Sequence, residues 1–199
     1  LMGEGKLEAC HAPVHPHHPE LGQRHFQFGK SLWIERSDYE DSPPKGFFRL
    51  FPGNKVRLKY GYVIECTGAN KDADGKVTEV LAQLIPDTKS GTPGSDSVKV
   101  KGVMTWVSQA DAVSAEVRLY DRLFTEAHPD AGGKDFLASF NSESLKVMTA
   151  FVEPSLANSA PDAKFQFERH GYFVADRIDH TANRLVFNRC TGLKDTWSK

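Results

Sequence analysis

Apolar and polar residues alternate with a period of two in several short runs of this chain. In the run 56–62 the even positions are aliphatic or aromatic, while Arg57, Lys59 and Gly61 hold the odd positions. Successive side chains of a β-strand point to opposite faces, so this alternation predicts a strand that is buried on one face only.

A second alternating run, 164–176, places Phe165 and Phe167 on one face of a predicted strand and Gln166 and Glu168 on the other. The two phenylalanines are expected to anchor the strand in a core, with Gln166 and Glu168 about 7 Å apart on the opposite face. An amide and a carboxylate on a rigid strand can read the hydrogen-bonding edges of an unstacked base. The alternative is the solvated outer face of an ordinary sheet.

Further strands are predicted by the same pattern and are separated by turn signals. Asp74-Gly75 between two alternating runs predicts a tight hairpin. Short helical turns are predicted only at 37–42 and 134–140, and neither is long enough to connect parallel strands. We therefore predict an all-β fold, arranged as a barrel or a sandwich. The other predicted strands are 31–35, 62–67, 77–85, 98–108, 115–124, 145–152, 177–180 and 185–188.

Composition narrows the class of protein. The 199 residues suit one domain or two small ones, and the net charge of −1 means that any polyanion site must be a local patch. No apolar run approaches the roughly 20 residues of a membrane span, and the first residues lack the layout of a signal peptide. The three cysteines are far apart, which indicates a reducing compartment. We expect a cytoplasmic protein that does not associate with membranes.

The most basic window of the chain is 45–59, with five cations, three phenylalanines and no acidic residue. On the predicted strand, Arg57 and Lys59 share one face about 7 Å apart, close to the spacing of successive phosphates along a single strand. Cations interleaved with aromatic residues favour single-stranded nucleic acid, whose bases stack and whose phosphates pair with cations. A solvated sheet face with protective charges is the alternative.

Four histidines between residues 11 and 18 raise the possibility of a metal site, but the intervening prolines space them irregularly. A surface connector, or a segment that crosses a ligand, explains this stretch better. The sequence contains no glycine-rich phosphate loop, no serine-nucleophile elbow and no His-Glu-x-x-His pair. We therefore expect a binding module without catalytic residues, metal or cofactor.

Eight short runs, none specific alone, occur in order along nearly the whole chain. Together they resemble the C-terminal anticodon-binding region of the glutaminyl-tRNA synthetases. With x for a position outside the match, the runs are HPxxPExGxR at 15–24, RL at 49–50 with VRL at 56–58, KDAxG at 71–75, KVKGV at 99–103 with WVS at 106–108, EVRLYDRLF at 116–124, EPSL at 153–156, FQFER at 165–169 with GYF at 171–173, and FNR at 187–189 with GLxDTW at 192–197.

The resemblance implies two stacked antiparallel β-barrels with short helices, placed along the anticodon arm of tRNA. A proximal barrel would comprise 1–28 plus 105–199, and a distal barrel 29–104. The resemblance also implies a longer, monomeric protein. Its class I catalytic domain, which this chain lacks, would use ATP and Mg²⁺ to attach glutamine to tRNA-Gln. The chain itself would bind the anticodon loop.

The resemblance also assigns candidate contacts to the anticodon. Two positions depart from the family pattern, because Phe48 stands where bacterial relatives often carry a cation and His17 where they often carry asparagine. Further base contacts of the family would precede residue 1, so we expect the pocket in this chain to be incomplete. The predicted anticodon or RNA contacts are Arg49, Arg57, Lys59, Gln166, Glu168 and Arg169, with His17 and Lys45 beside them.

Three other functions compete with this interpretation. The first is a non-catalytic RNA-binding β-barrel, which the length of the chain and the segment 165–197 disfavour. The second is the anticodon domain of a related glutamyl-tRNA synthetase, which the runs 116–124 and 165–173 disfavour. The third is a barrel that encloses a small ligand, which would require an apolar cavity and indifference to RNA.

Overall fold

The computed structural model of the chain describes residues 1–194, and within that range the predicted all-β fold is confirmed. Regular helix is limited to short 3-10 turns, among them Arg36–Asp38 and Phe136–Ser139. The last three positions of the run 187–197 lie outside the described residues. The strands are β1 (Glu8–Pro13), β2 (Gln23–Phe28), β3 (Leu32–Trp33), β4 (Lys55–Leu58), β5 (Val63–Lys71), β6 (Val77–Leu84), β7 (Gly102–Met104), β8 (Val107–Ser108), β9 (Val113–Tyr120), β10 (Leu145–Val152), β11 (Lys164–Phe167), β12 (Gly171–Ala175) and β13 (Leu185–Thr191).

The chain divides into two compact units. The first comprises Leu1–Ala112 with Glu153–Ser155, and the second comprises Val113–Val152 with the chain from Leu156 onward. Each unit has its own cluster of buried apolar residues.

The first unit contains a four-stranded sheet in the order β6-β5-β4-β7, together with the pairs β1-β2 and β3-β8. The hairpin predicted at Asp74-Gly75 is confirmed, since β5 and β6 pair antiparallel on either side of it. The Asp72 carboxylate accepts the backbone N–H groups of Asp74 and Lys76, and Gly75 supplies the positive φ of 77° that the turn requires.

The core of the first unit confirms the alternation only as far as Leu58, because β4 ends there and the predicted strand gives way to a turn in which Tyr60 has a φ of 60°. Val56 and Leu58 are completely buried. Beside them, Trp106 packs edge-on against Phe28 with ring centroids 5.3 Å apart, and its indole N–H donates to the Lys59 carbonyl at 2.9 Å. Satisfying that buried N–H fixes the position of the chain just after β4.

The second unit is built on one five-stranded sheet in the order β10-β9-β13-β12-β11. Phe165 and Phe167 pack against its core as predicted, and Phe167 stacks on Phe173 with ring centroids 4.4 Å apart. The opposite face of β11 carries the exposed Gln166.

The sheets of residues 1–194 do not close into a barrel, but their nearly all-β, largely antiparallel arrangement is consistent with anticodon-binding barrels. The expectation of purely antiparallel pairing needs correction, because two strand pairs, β4-β7 and β9-β13, are parallel. The long connection from β6 to β7 explains the first of these pairs, because it returns the chain to β4 in the same direction.

The strand predicted at 177–180 is also wrong. The Asp176 carboxylate accepts the backbone N–H groups of Ile178 and Asp179 and holds these residues in a turn.

Among the described residues, no helix has the length and apolar character that crossing a membrane requires.

Candidate nucleic-acid interface

Arg57 on β4 is bound by a loop of its own unit. Its guanidinium donates to the Thr88 carbonyl at 2.8 Å, to the Ser90 hydroxyl at 3.3 Å and to the Ser95 carbonyl. Thr88 is fully buried, and its hydroxyl accepts the Val63 N–H at 3.0 Å. Arg57 therefore joins the loop after β6 to the central strands of the sheet.

Arg49 is likewise engaged within the fold. Its guanidinium lies 2.9 Å from the carboxylate of Asp38, which is fully buried, and its carbonyl accepts the Asn54 side-chain N–H at 2.6 Å. A buried carboxylate requires such a partner. Arg49 and Asn54 together hold the loop between Leu50 and β4 in place.

The other predicted cations of the first unit lie in different settings. Lys59 follows the end of β4 and is half-buried, with its ammonium 5.4 Å from the Tyr60 ring centroid. Lys45 is exposed in an irregular segment. His17 is exposed as well, and its backbone N–H donates to the ring of His15 at 3.1 Å.

Gln166, Glu168 and Arg169 belong to the second unit. β11 ends at Phe167, so Glu168 and Arg169 lie in the turn to β12 instead of on the strand face beside Gln166. Arg169 adopts a positive φ of 72°. Gly171 follows, and a Cβ there would lie 2.2 Å from the Thr191 carbonyl oxygen, so only glycine fits.

Two protein-family models match this chain, at residues 2–85 and 103–176, and both are described as the anticodon-binding domain of class I tRNA synthetases (E and Q). The chain belongs to this family. The family resemblance drawn from the eight sequence runs is thereby confirmed.

Curated relatives of this anticodon-binding domain are close. The chain is 65% identical over 196 residues to a glutamine–tRNA ligase of Cupriavidus taiwanensis, covering 98% of this chain and 34% of the relative. It is 65% identical over 192 residues to that of Ralstonia nicotianae, covering 96% and 33%. It is 58% identical over 193 residues to that of Bordetella avium, covering 97% and 33%. The chain thus spans about a third of the length of the relatives it matches.

The anticodon-binding domain also contains a basic pocket that the sequence interpretation missed. It encloses about 360 Å³ in the first unit, and the ammonium of Lys101 lies 5.3 Å from the centroid of the Phe48 ring. Lys99 and Lys101 alternate with apolar residues in the run 98–108, and this spacing was the available signal. The lining residues are Phe48, Gly53, Asn54, Lys55, Glu65, Lys99, Val100, Lys101 and Gly102.

The second unit also contains a cluster of charged side chains around Arg118. Its guanidinium donates to Asp179 at 2.6 Å and to Glu116 at 2.7 Å, and these hydrogen bonds raise the pKa of Arg118. The Asp176 carboxylate accepts hydrogen bonds from the Asp179 N–H, the Asn188 side chain and the Ile178 N–H, which lower its pKa to about 2. Arg118 is mostly buried, so these carboxylates balance its charge within the fold.

A metal site in the histidine-rich stretch receives no support. Across residues 1–194 there is no group of three or more histidine, cysteine, aspartate or glutamate side chains placed to hold a metal ion.

Proposed function

We propose that this chain binds the anticodon loop of tRNA-Gln as the anticodon-binding part of a glutamine–tRNA ligase. The observation that carries the proposal is the 65% identity to glutamine–tRNA ligases over 98% of the chain. The chain covers only 34% of that relative's length, so the ligase reaction is assigned to the longer protein.

The chain's own part in that reaction is recognition. The resemblance implies ATP and Mg²⁺ for the ligase, but the described residues contain no group of side chains that fits a metal ion. No step through ATP or Mg²⁺ is therefore assigned to this chain. Glutamine and ATP would be bound by the preceding catalytic portion.

Several finer assignments rest on the same resemblance and are proposals. The proximal barrel would comprise 1–28 plus 105–199 and the distal barrel 29–104. The longer protein would be a monomer in the cytoplasm. The membrane would play no part in its function.

The settings of the predicted contacts suggest different roles for them. Gln166 is exposed on a strand whose other face is anchored by two phenylalanines, which suits an amide that reads a base edge. Glu168 and Arg169 would approach the same RNA from the adjoining turn. The exposed Lys45 and His17 suit phosphate contacts, as does Lys59. Arg49 and Arg57 would act mainly by holding loops in place, because both guanidiniums have partners within the fold.

The test is a titration of the chain with a labelled tRNA anticodon stem-loop carrying CUG. Stem-loops altered at the middle or third anticodon base are compared with it at two salt concentrations. Anticodon reading predicts weaker binding after either base change, and a fall in affinity with salt. Gln166→Ala should weaken binding and reduce discrimination between bases. Gln83→Ala, which removes an exposed glutamine from β6 of the first unit, is the matched control.

Salt-dependent binding that ignores the anticodon bases would contradict anticodon reading and indicate a general RNA-binding domain. Failure of both this chain and a version extended by the preceding catalytic portion to bind the stem-loop would refute the proposal altogether.

A further inference from the structure

Five of the eight histidines of the chain lie on the β1-β2 hairpin, and all five side chains are exposed. His11 on β1 and His25 on β2 are paired across the ladder, with ring centroids 6.3 Å apart. The other three lie in the connection between the two strands, at positions 15, 17 and 18. The hairpin therefore concentrates the type of side chain that changes charge between pH 5 and pH 8.

The three histidines of the connection form a compact group, here called the imidazole cluster. The ring centroid of His15 lies 4.6 Å from that of His18 and 6.0 Å from that of His17. The His17 backbone N–H donates to His15 Nδ1 at 3.1 Å, and the Val14 N–H donates to the Gly22 carbonyl at 3.0 Å. Backbone hydrogen bonds therefore hold three exposed rings close to one another.

The fixed charges around the imidazole cluster have partners. Glu20 is the acid beside it, with its carboxylate 2.8 Å from His18 Nδ1. Arg24 forms an ion pair with Glu153 and donates through Nε to the Pro13 carbonyl at 3.3 Å. The other charged groups that contact the hairpin are Glu8 with Lys89, and Asp111, which accepts the Gln27 N–H. The change in the charge of the hairpin with pH is therefore set by its histidines.

Protonation has a different effect on each ring of the cluster. His15 Nδ1 accepts the His17 N–H, so the neutral His15 ring presents its Nε2–H as a donor. A proton on His18 is offset by the carboxylate of Glu20. The His17 imidazole takes part in no hydrogen bond within residues 1–194, so its protonation adds an uncompensated positive charge to the cluster.

A phosphate group is the ligand that this combination suits. The Nε2–H of His15 can donate to one phosphate oxygen at any pH, and a protonated His17 adds a charge-assisted hydrogen bond, which is stronger than a neutral one. The phosphate in turn favours the protonated form of His17. Binding of the anion and binding of the proton therefore reinforce each other.

We propose that the imidazole cluster holds one backbone phosphate of the bound RNA, and that protonation of His17 strengthens this contact as the pH falls from 8 to 6. The proposal rests on the proposed function, because the phosphate belongs to the RNA that the chain binds. The family resemblance places asparagine at position 17 in many bacterial relatives. Asparagine does not titrate, so this pH dependence belongs to the present chain and not to the family pattern.

The first test is the stem-loop titration at pH 6 and at pH 8, with the ionic strength held constant. The wild type should bind roughly 3- to 10-fold more tightly at pH 6, the gain expected from one charged contact to phosphate. The gain should be the same for stem-loops with altered anticodon bases, because a backbone phosphate carries no sequence information. The slope of log affinity against log salt should steepen by about 0.7–0.9 at pH 6.

Two substitutions of His17 separate its charge from its place in the fold. His17→Asn should bind at both pH values as the wild type does at pH 8. His17→Lys should bind at both pH values as the wild type does at pH 6, because its ammonium stays charged throughout. Both variants should unfold at the wild-type temperature, since the ring is exposed. His128→Gln, which removes an exposed histidine of the second unit, is the matched control and should keep the wild-type pH dependence.

Proton uptake gives a second readout, which a purely structural role of His17 would not change. Calorimetric titration at pH 6.5 in two buffers of different ionisation enthalpy measures the protons taken up when the stem-loop binds. We expect uptake of about 0.5–1 proton by the wild type and close to none by His17→Asn and His17→Lys.

The proposal is refuted if the wild type binds the CUG stem-loop equally well at pH 6 and pH 8 while the base changes still weaken binding. It is also refuted if His17→Asn keeps the full pH dependence and proton uptake. In both cases the proposed function survives. If the wild type, alone and extended by the preceding catalytic portion, binds no RNA at either pH, both proposals fail.

Discussion

Arg57 offers the sharpest test of how this structure assigns roles to its cations. The sequence pattern predicts an outward-facing arginine that meets phosphate. In the structure its guanidinium donates to two backbone carbonyls and one hydroxyl of the loop after β6. Two substitutions separate the roles, since Arg57→Ala removes both charge and hydrogen bonds, whereas Arg57→Lys keeps the charge and loses the planar guanidinium.

The magnitude follows from the three hydrogen bonds. A hydrogen bond to a charged group contributes about 1.5–3 kcal/mol when buried, but this side chain is only partly buried. We therefore expect Arg57→Ala to lower the free energy of unfolding by about 3 kcal/mol and Arg57→Lys by about 1–2 kcal/mol. A loss of about 3 kcal/mol is a large share of the 5–15 kcal/mol that typically stabilises a domain.

The assay is urea unfolding of the chain, combined with amide hydrogen exchange. Exchange in the segment 88–95 should accelerate in both variants, because the loop loses its attachment to β4. Lys55→Ala is the matched control on the same strand. Its ion pair with Glu65 is exposed, so its removal should cost less than about 1 kcal/mol.

One result would refute this reasoning. Arg57→Ala could unfold at the wild-type urea concentration, with unchanged exchange in 88–95, and still bind the stem-loop more weakly. Arg57 would then be an RNA contact, and its hydrogen bonds to the loop would contribute nothing to stability.

Two further predictions concern stability in each unit. Gly102→Ala should lower the free energy of unfolding by about 1–3 kcal/mol in thermal unfolding, since its Cβ would lie 1.8 Å from the Phe48 carbonyl oxygen. Gly3→Ala, whose Cβ would meet only the Lys6 side chain at 3.6 Å, should match the wild type, and an equal loss in both variants would contradict the steric argument. The pKa of Asp176 is lowered to about 2, so its stabilisation is present above its usual pKa and is lost as the pH falls from about 4 to about 2, a loss of up to about 2 kcal/mol. Urea unfolding across this range should show a shallower pH dependence for Asp176→Asn, and an unchanged profile would show that other carboxylates carry the effect.

The strands were predictable where the signal was local. The alternation in 56–58, the paired phenylalanines of 165–167 and the hairpin at Asp74-Gly75 all depend on neighbours within a few residues. The prediction was wrong at 177–180, because the Asp176 carboxylate captures the N–H groups of Ile178 and Asp179 and closes a turn. A side-chain acceptor of this kind competes with strand pairing without altering the hydrophobic pattern.

The sequence by itself determined that this is an all-β protein and, through eight ordered runs, which family it belongs to. Only the tertiary structure decided the partners of the charged residues. The guanidinium of Arg57 donates to a carbonyl that is 31 residues away in the sequence. Phe48, which precedes β4, contacts Lys101, which directly precedes β7. Periodicity predicts the face of the strand on which a side chain lies. The atoms that this side chain contacts belong to distant segments, which only the tertiary fold brings together.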